Sequence, residues 1–442
     1  MEKATNLYSE IIQLAESLEP ALIARRRDFH KYAEAGWCEM RTSSLIARRL
    51  SQLGYEVLTG PQVCKKDSRM GVPSQEVLDR EYARALDQGA DEEFVRHTRD
   101  GMTGVIGILH LGDGPVVAMR FDIDALGVQE RKDDGHRPAK EGFASVNPGV
   151  MHACGHDAHA AIGLGVAEVL AGIKGHLCGT IKLIFQPAEE GVRGAKSIVD
   201  QGHLEDVQYL LAAHVADSRE IPDKAHMIPG YDGGLATTKY DVIFRGKAAH
   251  AGICPEEGKN AILAAAATVL NLYAIPRNGQ GTSQINVGTI HGGSGRNVVA
   301  ETAKLELEVR GETAAINNYM ETYALQVIEG TAKMHGVDCE IKVMGSAVPL
   351  SSSRSLAKRI DRVCREELHL KTAPPESFSG GGSEDVSYLM NRVQELGGEA
   401  SYMRFLTPTA GPAHSNSFDL DEHALVTGVK VFCSVASDIL HR

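Results

Sequence analysis

Apolar positions along the chain change pattern twice, and each change predicts a change of architecture. MEKATNLYSEIIQLAESLEP reads as an amphipathic helix. A second helical stretch carrying RRRDFHKYAEAGW follows Pro20, and a third runs from about Thr42 to Leu53. GYEVLTG reads as a strand. The segment from Pro61 to about Gly101 is polar and charged, weakly helical from Glu76 to Leu86, and is expected as an insertion on the surface. TGVIGILHL and PVVAMRFD are strands rich in branched apolar residues. After Gly155 an Ala/Gly/Leu/Val-rich run reads as a packed helix. The apolar stretch in GTIKLIFQPAEEG marks a strand buried on both faces, as parallel strands are, and VQYLLAAHV repeats the design.

Around Thr237 the period becomes two. TTKYDVIFRG, SQINVGTIHGG, TAKLELEVRG and DCEIKVMG alternate like strands, with helices over KNAILAAAATVLNLYA and from about Ala315 to His335. The order β, α, β, β, α, β predicts a ferredoxin-like α+β domain inserted into the larger one. The chain then returns to the pattern of its first half, with a helix near Ser353 to Leu368, the loop FSGGGSED, another helix, the strand EASYMRF and a terminal helix. The expected fold is α/β, a mixed sheet flanked by helices. Residues 1–236 and 346–442 are expected to form the larger domain, and 237–345 the inserted one.

At 442 residues, with 43% hydrophobic and 24% charged positions, the composition is that of an ordinary globular protein of more than one domain. The net charge of −12 argues against nucleic acid and against anionic membrane surfaces. It leaves anionic small substrates open, because one local Arg dominates inside a pocket. Eight scattered cysteines with no CxxC predict free thiols and a cytoplasmic protein. The N-terminus lacks a signal peptide's apolar core, and no apolar run is expected to span a bilayer.

The chemistry concentrates in PGVMHACGHDAHAAIGLG, Pro148 to Gly165. In an extended segment Cys154 and His156 project to the same side, and a thiolate with an imidazole suits zinc or another borderline divalent metal. The bland reading is a small buried Cys beside capping polar residues. Three successive strand-helix joints end in metal-capable or acid/base residues: Asp122 and Asp124, Glu189 and Glu190, and His214. Open α/β sheets place their ligands at such ends.

HACGHDAH, FQPAEEG, AAHV, GKAAHAG, GGSGRNVVA, GGGSED and a late His before the terminal helix resemble the two-metal metallopeptidase family of aminoacylases and glutamate carboxypeptidases. The Cys-containing HACGHD form is similar to its amidohydrolase branch of hippurate and auxin-conjugate hydrolases. The resemblance implies two divalent ions per subunit, zinc or manganese, held by Cys154, His156, Glu190, His214 and His414. It implies Glu189 as general base and Asp122 as the orienter of a ligand, with Arg120 where other branches keep a ligand His. His152 and His159 are expected to be structural, and His30 is read as a packed surface His with no role. In the inserted domain, His250 resembles a lid histidine that reaches across a dimer to the scissile carbonyl, and Asn297 and Arg310 match residues that hold the substrate. A forked guanidinium suits a carboxylate.

Two departures stand out. The late motif reads GPAHS, leaving a one-residue shift of His414 open, and Asn260 replaces the usual acidic residue before Ala-Ile. The expected reaction is metal-dependent hydrolysis of an N-acyl or N-aroyl amino acid, p-aminobenzoyl-glutamate foremost. Hippurate-type or auxin-conjugate substrates, a weakly active partner subunit, and a metal or redox sensor built on Cys154 stand as alternatives. The expected assembly is a homodimer or a heteromer with a paralogous subunit.

Overall fold

The computed structural model describes residues 2–220, 224–374 and 382–441. Its first six strands are β1 (Glu56–Thr59), β2 (Val105–His110), β3 (Val116–Asp122), β4 (Thr180–Gln186), β5 (Tyr209–Asp217) and β6 (Met227–Ile228). Next come β7 (Asp232–Gly234), β8 (Ala236–Arg245), β9 (Ser283–Gly292), β10 (Thr302–Gly311), β11 (Asp338–Ala347), β12 (Leu350–Ser351) and β13 (Glu399–Thr407). One sheet has seven strands in the order β1-β2-β4-β3-β5-β13-β6. Its centre, β4-β3-β5-β13, is parallel, and its margins are antiparallel. The expected mixed sheet is therefore present, and the carboxyl ends of β3, β4 and β5 open on one edge.

Alternate residues of the central strands enter two cores. Val117, Met119, Phe121, Ile181, Leu183 and Phe185 face the helices Glu2–Ser17, Glu19–Lys31, Met40–Gln52, His156–Gly172 and His423–Leu440. Ala118, Ile184, Leu210, Ala212 and Tyr402 face the helices Ala195–Asp200 and Val386–Glu395. The helix His156–Gly172 lies close on the sheet because of Gly163. A Cβ there would stand 2.6 Å from Phe185 and 2.8 Å from Phe121, far inside van der Waals contact.

The second sheet has the order β11-β8-β10-β9, all antiparallel, with the helices Ala261–Tyr273 and Ala314–His335 on one face. Phe244, Leu305, Leu272, Met320 and Ile328 fill the core between them. This is the ferredoxin-like topology read from the alternating strands. The ribbon β7-β12 joins the chain where it enters and leaves this unit.

Two expectations need correction. The 61–101 segment is more than a surface addition. Its helix Gln75–Asp87 and the turn Glu92–Val95 bury Leu78, Ala85 and Val95 against Cys38 and Met40. Trp37 Nε1 donates to Met70 O at 2.7 Å, so the segment closes over a fully buried Trp. The terminal helix His423–Leu440 is long and apolar enough to cross a membrane, with mean hydropathy 1.4, contrary to expectation. It is 72% buried within the fold, however, and its charges are paired, Lys430 with Glu16 at 2.6 Å and Asp438 with Arg359 at 2.6 Å. It is the core helix of the larger unit.

Candidate metal centre

Loops, the strands β3 and β5 and the start of the helix His156–Gly172 bring the donors together. Gly155, at φ +89°, turns the chain from Cys154 into the helix that begins at His156, and a Cβ there would meet Val215 at 2.6 Å. The ligand atoms of Cys154, His156 and Glu190 lie within 4.8 Å of one another, as do those of Asp122, His156, His159 and His214. Cys154 Sγ is 3.4 Å from His214 Nε2. His414 is 57% exposed at the mouth of the site, with Nε2 3.7 Å from Glu190 Oε1. Its backbone, at φ +66°, donates to Ala153 O at 2.7 Å, so the late His is tied directly to the HACGHD turn.

Surrounding groups decide which nitrogen of each imidazole faces the centre. His214 Nδ1 lies 2.6 Å from Val215 O, so Nδ1 carries the hydrogen and Nε2 presents a lone pair. Burial, then His159 and Arg404, hold His214 well below the usual histidine range, in the neutral form a metal requires. His156 Nδ1 contacts Asp124 Oδ1 at 3.2 Å, while its Nε2 lies 3.7 Å from Asp122 and 3.8 Å from Glu189. His159 differs from both. Its Nδ1 bonds Asp122 and its Nε2 accepts from the Val215 amide at 3.0 Å, so both nitrogens are in use and it orients rather than binds.

This donor set fits a divalent ion. His156 Nε2 and Glu190 Oε1 are buried with no hydrogen-bond partner among the described residues, and an ion between such groups removes that cost. Burial pushes the Cys154 thiol up to about 12 and the Glu190 carboxyl up to about 7, as expected of groups awaiting a positive charge. Glu189 points into the same cavity, of about 470 Å³. Burial, then Glu384 and Glu190, push its carboxyl well above the usual range.

Behind the donors stand charged residues that motif reading left without roles. Arg120 is fully buried and donates to Gln186 at 2.8 Å, Asp122 at 2.6 Å and Glu384 at 2.9 Å. Against burial, which pushes it up, Arg120 and the two histidines hold Asp122 well below the usual carboxylate range. Asp385 accepts from the Gly194 and Ala195 amides at 2.9 Å each, which anchors the end of GGGSED to the loop after β4; Gly380 and Gly381 of that motif lie outside the described residues. His30 is fully buried rather than at the surface. It bridges Asp157 at 2.8 Å and Glu130 at 2.9 Å, beside the fully buried Arg26. His152 is buried beneath the donors with no partner for either nitrogen among the described residues.

The residues expected to hold the substrate divide. Arg310 lines the cavity, its Nε held by Glu308 at 3.0 Å. His250 and Asn297 are exposed and stand together away from it, where the Ala251 amide donates to Asn297 O at 3.0 Å. Three further lining residues, Lys239, Tyr402 and Arg404, were not foreseen.

This chemistry lies at the carboxyl ends of parallel strands, where α/β enzymes act. It defines the class: the chain belongs to Peptidase family M20/M25/M40, whose family model matches residues 118–438, and it is a metal-dependent amidohydrolase. It is 45% identical over 425 residues to one named subunit of the p-aminobenzoyl-glutamate hydrolase of Escherichia coli (strain K12), covering 96% of this chain and 97% of that one. It is 43% identical over 420 residues to the indole-3-acetyl-aspartic acid hydrolase of Enterobacter agglomerans, covering 95% and 96%. The crystal structure of an aminobenzoyl-glutamate utilization protein from Klebsiella pneumoniae superposes with a TM-score of 0.81 at 38% identity, covering 96% of this chain and 97% of that one.

Proposed function

We propose that this protein hydrolyses the amide of an N-aroyl or N-acyl amino acid with a free carboxyl group, p-aminobenzoyl-glutamate first. Cys154, His156, Glu190, His214 and His414 would hold two divalent ions, zinc or manganese. When bound, they polarise the amide carbonyl and make water acidic enough to attack near neutral pH. Glu189 takes a proton from the attacking water and delivers it to the leaving nitrogen, so the C–N bond breaks to give a carboxylate and a free amine. Arg310 grips the substrate carboxylate. Residues 237–345 act as lid and dimerisation unit over a catalytic unit of 1–236 and 346–442. His250 and Asn297 serve the partner's site, which accords with neither lining the cavity of its own chain.

The observation that carries this reading is the separation of roles in neighbouring residues. The Glu190 carboxylate groups with the donors of Cys154 and His156, while Glu189 groups with Glu384 and Asp385 and approaches His156 Nε2 to 3.8 Å. Auxin-conjugate hydrolysis is the second reading, favoured by the 43% identity to the indole-3-acetyl-aspartic acid hydrolase. The naming of the Escherichia coli relative as one subunit of its enzyme supports a heteromer beside the homodimer. Eight unpaired cysteines support a reducing, cytoplasmic setting.

The test compares Glu189→Gln with Glu190→Gln in metal-loaded protein. Glu189→Gln should keep its metal and lose on the order of 10²–10⁴-fold in the rate of p-aminobenzoyl-glutamate cleavage. Glu190→Gln should lose metal as well. Metal lost from Glu189→Gln alone would reverse the two assignments.

A further inference from the structure

We propose that Arg404, with Lys239 across the cavity, forms a subsite for a second carboxylate, so that the enzyme selects dicarboxylic amino acids by their side chain. This rests on the amidohydrolase reading above and goes beyond it by naming what reads the side chain. The first observation is register. Arg404 on β13 pairs with His214 on the parallel strand β5. Registered neighbours on parallel strands project to one face, and the strands lie roughly 4.8 Å apart. A guanidinium beside a ligand imidazole reaches a substrate whose scissile carbonyl lies at the metal centre.

The second observation is how Arg404 is held. Its guanidinium stands 4.7 Å from the Tyr402 ring centroid and 5.3 Å from that of Tyr231. Tyr402 is itself fully buried and fixed by its hydroxyl, which donates to Glu384 at 2.6 Å. Stacking on aromatic rings fixes the plane of the cation and directs its N–H groups sideways, the orientation a bidentate carboxylate needs. A lysine at this position would lack that fork.

The third observation is charge. Lys239, Arg310 and Arg404 line one cavity. Among the described lining residues beyond the metal site, Glu384 is bound by Arg120 at 2.9 Å and Asp217 by Arg219 at 2.9 Å. Lys239 pairs in register with Glu308, the residue that holds Arg310. Arg310 and Lys239 thus stand side by side on the inserted sheet. One cation suffices for the α-carboxylate of any amino acid. A wall with three suits a substrate carrying two carboxylates, such as a glutamate or aspartate conjugate.

The test uses N-benzoyl-glutamate and N-benzoyl-glutamine, which differ only in the side-chain charge, on metal-loaded protein. The unmodified enzyme should prefer the glutamate conjugate by at least about 30-fold in kcat/KM, mostly through KM, because a charged hydrogen-bonded pair is worth roughly 2 kcal/mol. Arg404→Met should bring that ratio close to one, and Arg404→Lys should restore part of it. A packing role alone would lower both substrates in proportion and keep the ratio, which would overturn the proposal. If Arg404→Met fails to fold, Lys239→Met carries the same test with a smaller fall in the ratio. An unmodified enzyme that cleaves both conjugates equally refutes the subsite and leaves the hydrolase standing. If it cleaves neither, the hydrolase reading fails. Calorimetric binding of the two conjugates then decides the subsite alone, equal affinities counting against it.

Discussion

At the scale of single residues, motif spacing carried much of the site and sheet register carried the rest. Cys154, His156, Glu190, His214 and His414 were readable because each sits next to a turn or strand end whose local sequence is distinctive. The structure brings all five to one cavity or its rim. Arg404, Lys239 and Glu384 were not readable. Each gains its place from a neighbouring strand or a buried partner far away in sequence, as Glu384 does from Arg120, 264 positions apart. His30 was misplaced for the same reason, since the two carboxylates that enclose it lie 100 and 127 positions away. Cys154 allows a direct test of its assignment. Burial pushes its thiol up to about 12, so at neutral pH the metal-free protein keeps it protonated, and an ion that binds the thiolate must release that proton. Apparent metal affinity should therefore rise with pH. In a pH-stat titration with zinc, Cys154→Ala should release about one proton fewer per chain than the unmodified protein. Cys364→Ala, whose side chain is buried against Met227, should match the unmodified protein. Equal release from Cys154→Ala would remove it from the ligand set.

At the scale of elements, the turn after β4 shows why a legible motif still needs a scaffold that local sequence conceals. QPAEEG announces Glu189 and Glu190, but Ala188 adopts φ +50°, a conformation that residues other than glycine rarely take. Three consecutive amides of this turn are held by two buried carboxyl groups. The Ala188 amide donates to Glu39 at 2.7 Å, and those of Glu189 and Glu190 donate to Asp124 at 3.0 and 2.9 Å. Glu39 immediately precedes the helix Met40–Gln52, whose start the sequence places only at about Thr42. Burial, then Asp124, push its carboxyl up to about 8, so it is largely neutral at pH 7, with Oε2 2.5 Å from Thr103 Oγ1. Glutamine keeps the acceptor for the Ala188 amide, and its NH₂ can donate to Thr103 Oγ1 in place of the bond that Thr103 donates to Glu39. Glu39→Ala leaves the Ala188 amide buried without an acceptor, at a cost of about 1–3 kcal/mol. Glu39→Ala should lower kcat about tenfold or more with KM and metal content little changed, by loosening the base, and Glu39→Gln should recover most of it. Steady-state kinetics with elemental analysis decides the matter. Full activity in Glu39→Ala would show that the turn holds itself.

At the scale of the whole molecule, the inserted unit presents a surface that a lone chain leaves in water. Leu263 is 53% exposed, Leu270 75% and Tyr273 48% along the helix Ala261–Tyr273, and Ile290 on the edge strand β9 is 51% exposed. An apolar helix stripe beside an unpaired strand edge is a surface that association covers. His250 and Asn297 belong to the same unit and lie off their own cavity, so a two-fold pair joined through it would close each site with the neighbour's residues. A mixing experiment separates this arrangement from one in which each chain serves itself. Glu189→Gln lacks the proposed base and His250→Ala the proposed donor to the developing oxyanion, so each is expected to be inactive alone. After subunit exchange, a mixed dimer holds one site built from the intact base of the His250→Ala chain and the intact His250 of the Glu189→Gln chain. With random mixing half the dimers are mixed, each with one working site of two, and activity should return to about a quarter of the unmutated level. Were His250 to act within its own chain, every site would lack one group and mixing would restore nothing. Exchange must be confirmed with tagged subunits, because a failure to exchange gives the same silence. A confirmed exchange without recovery would overturn the trans arrangement and leave the metal centre untouched.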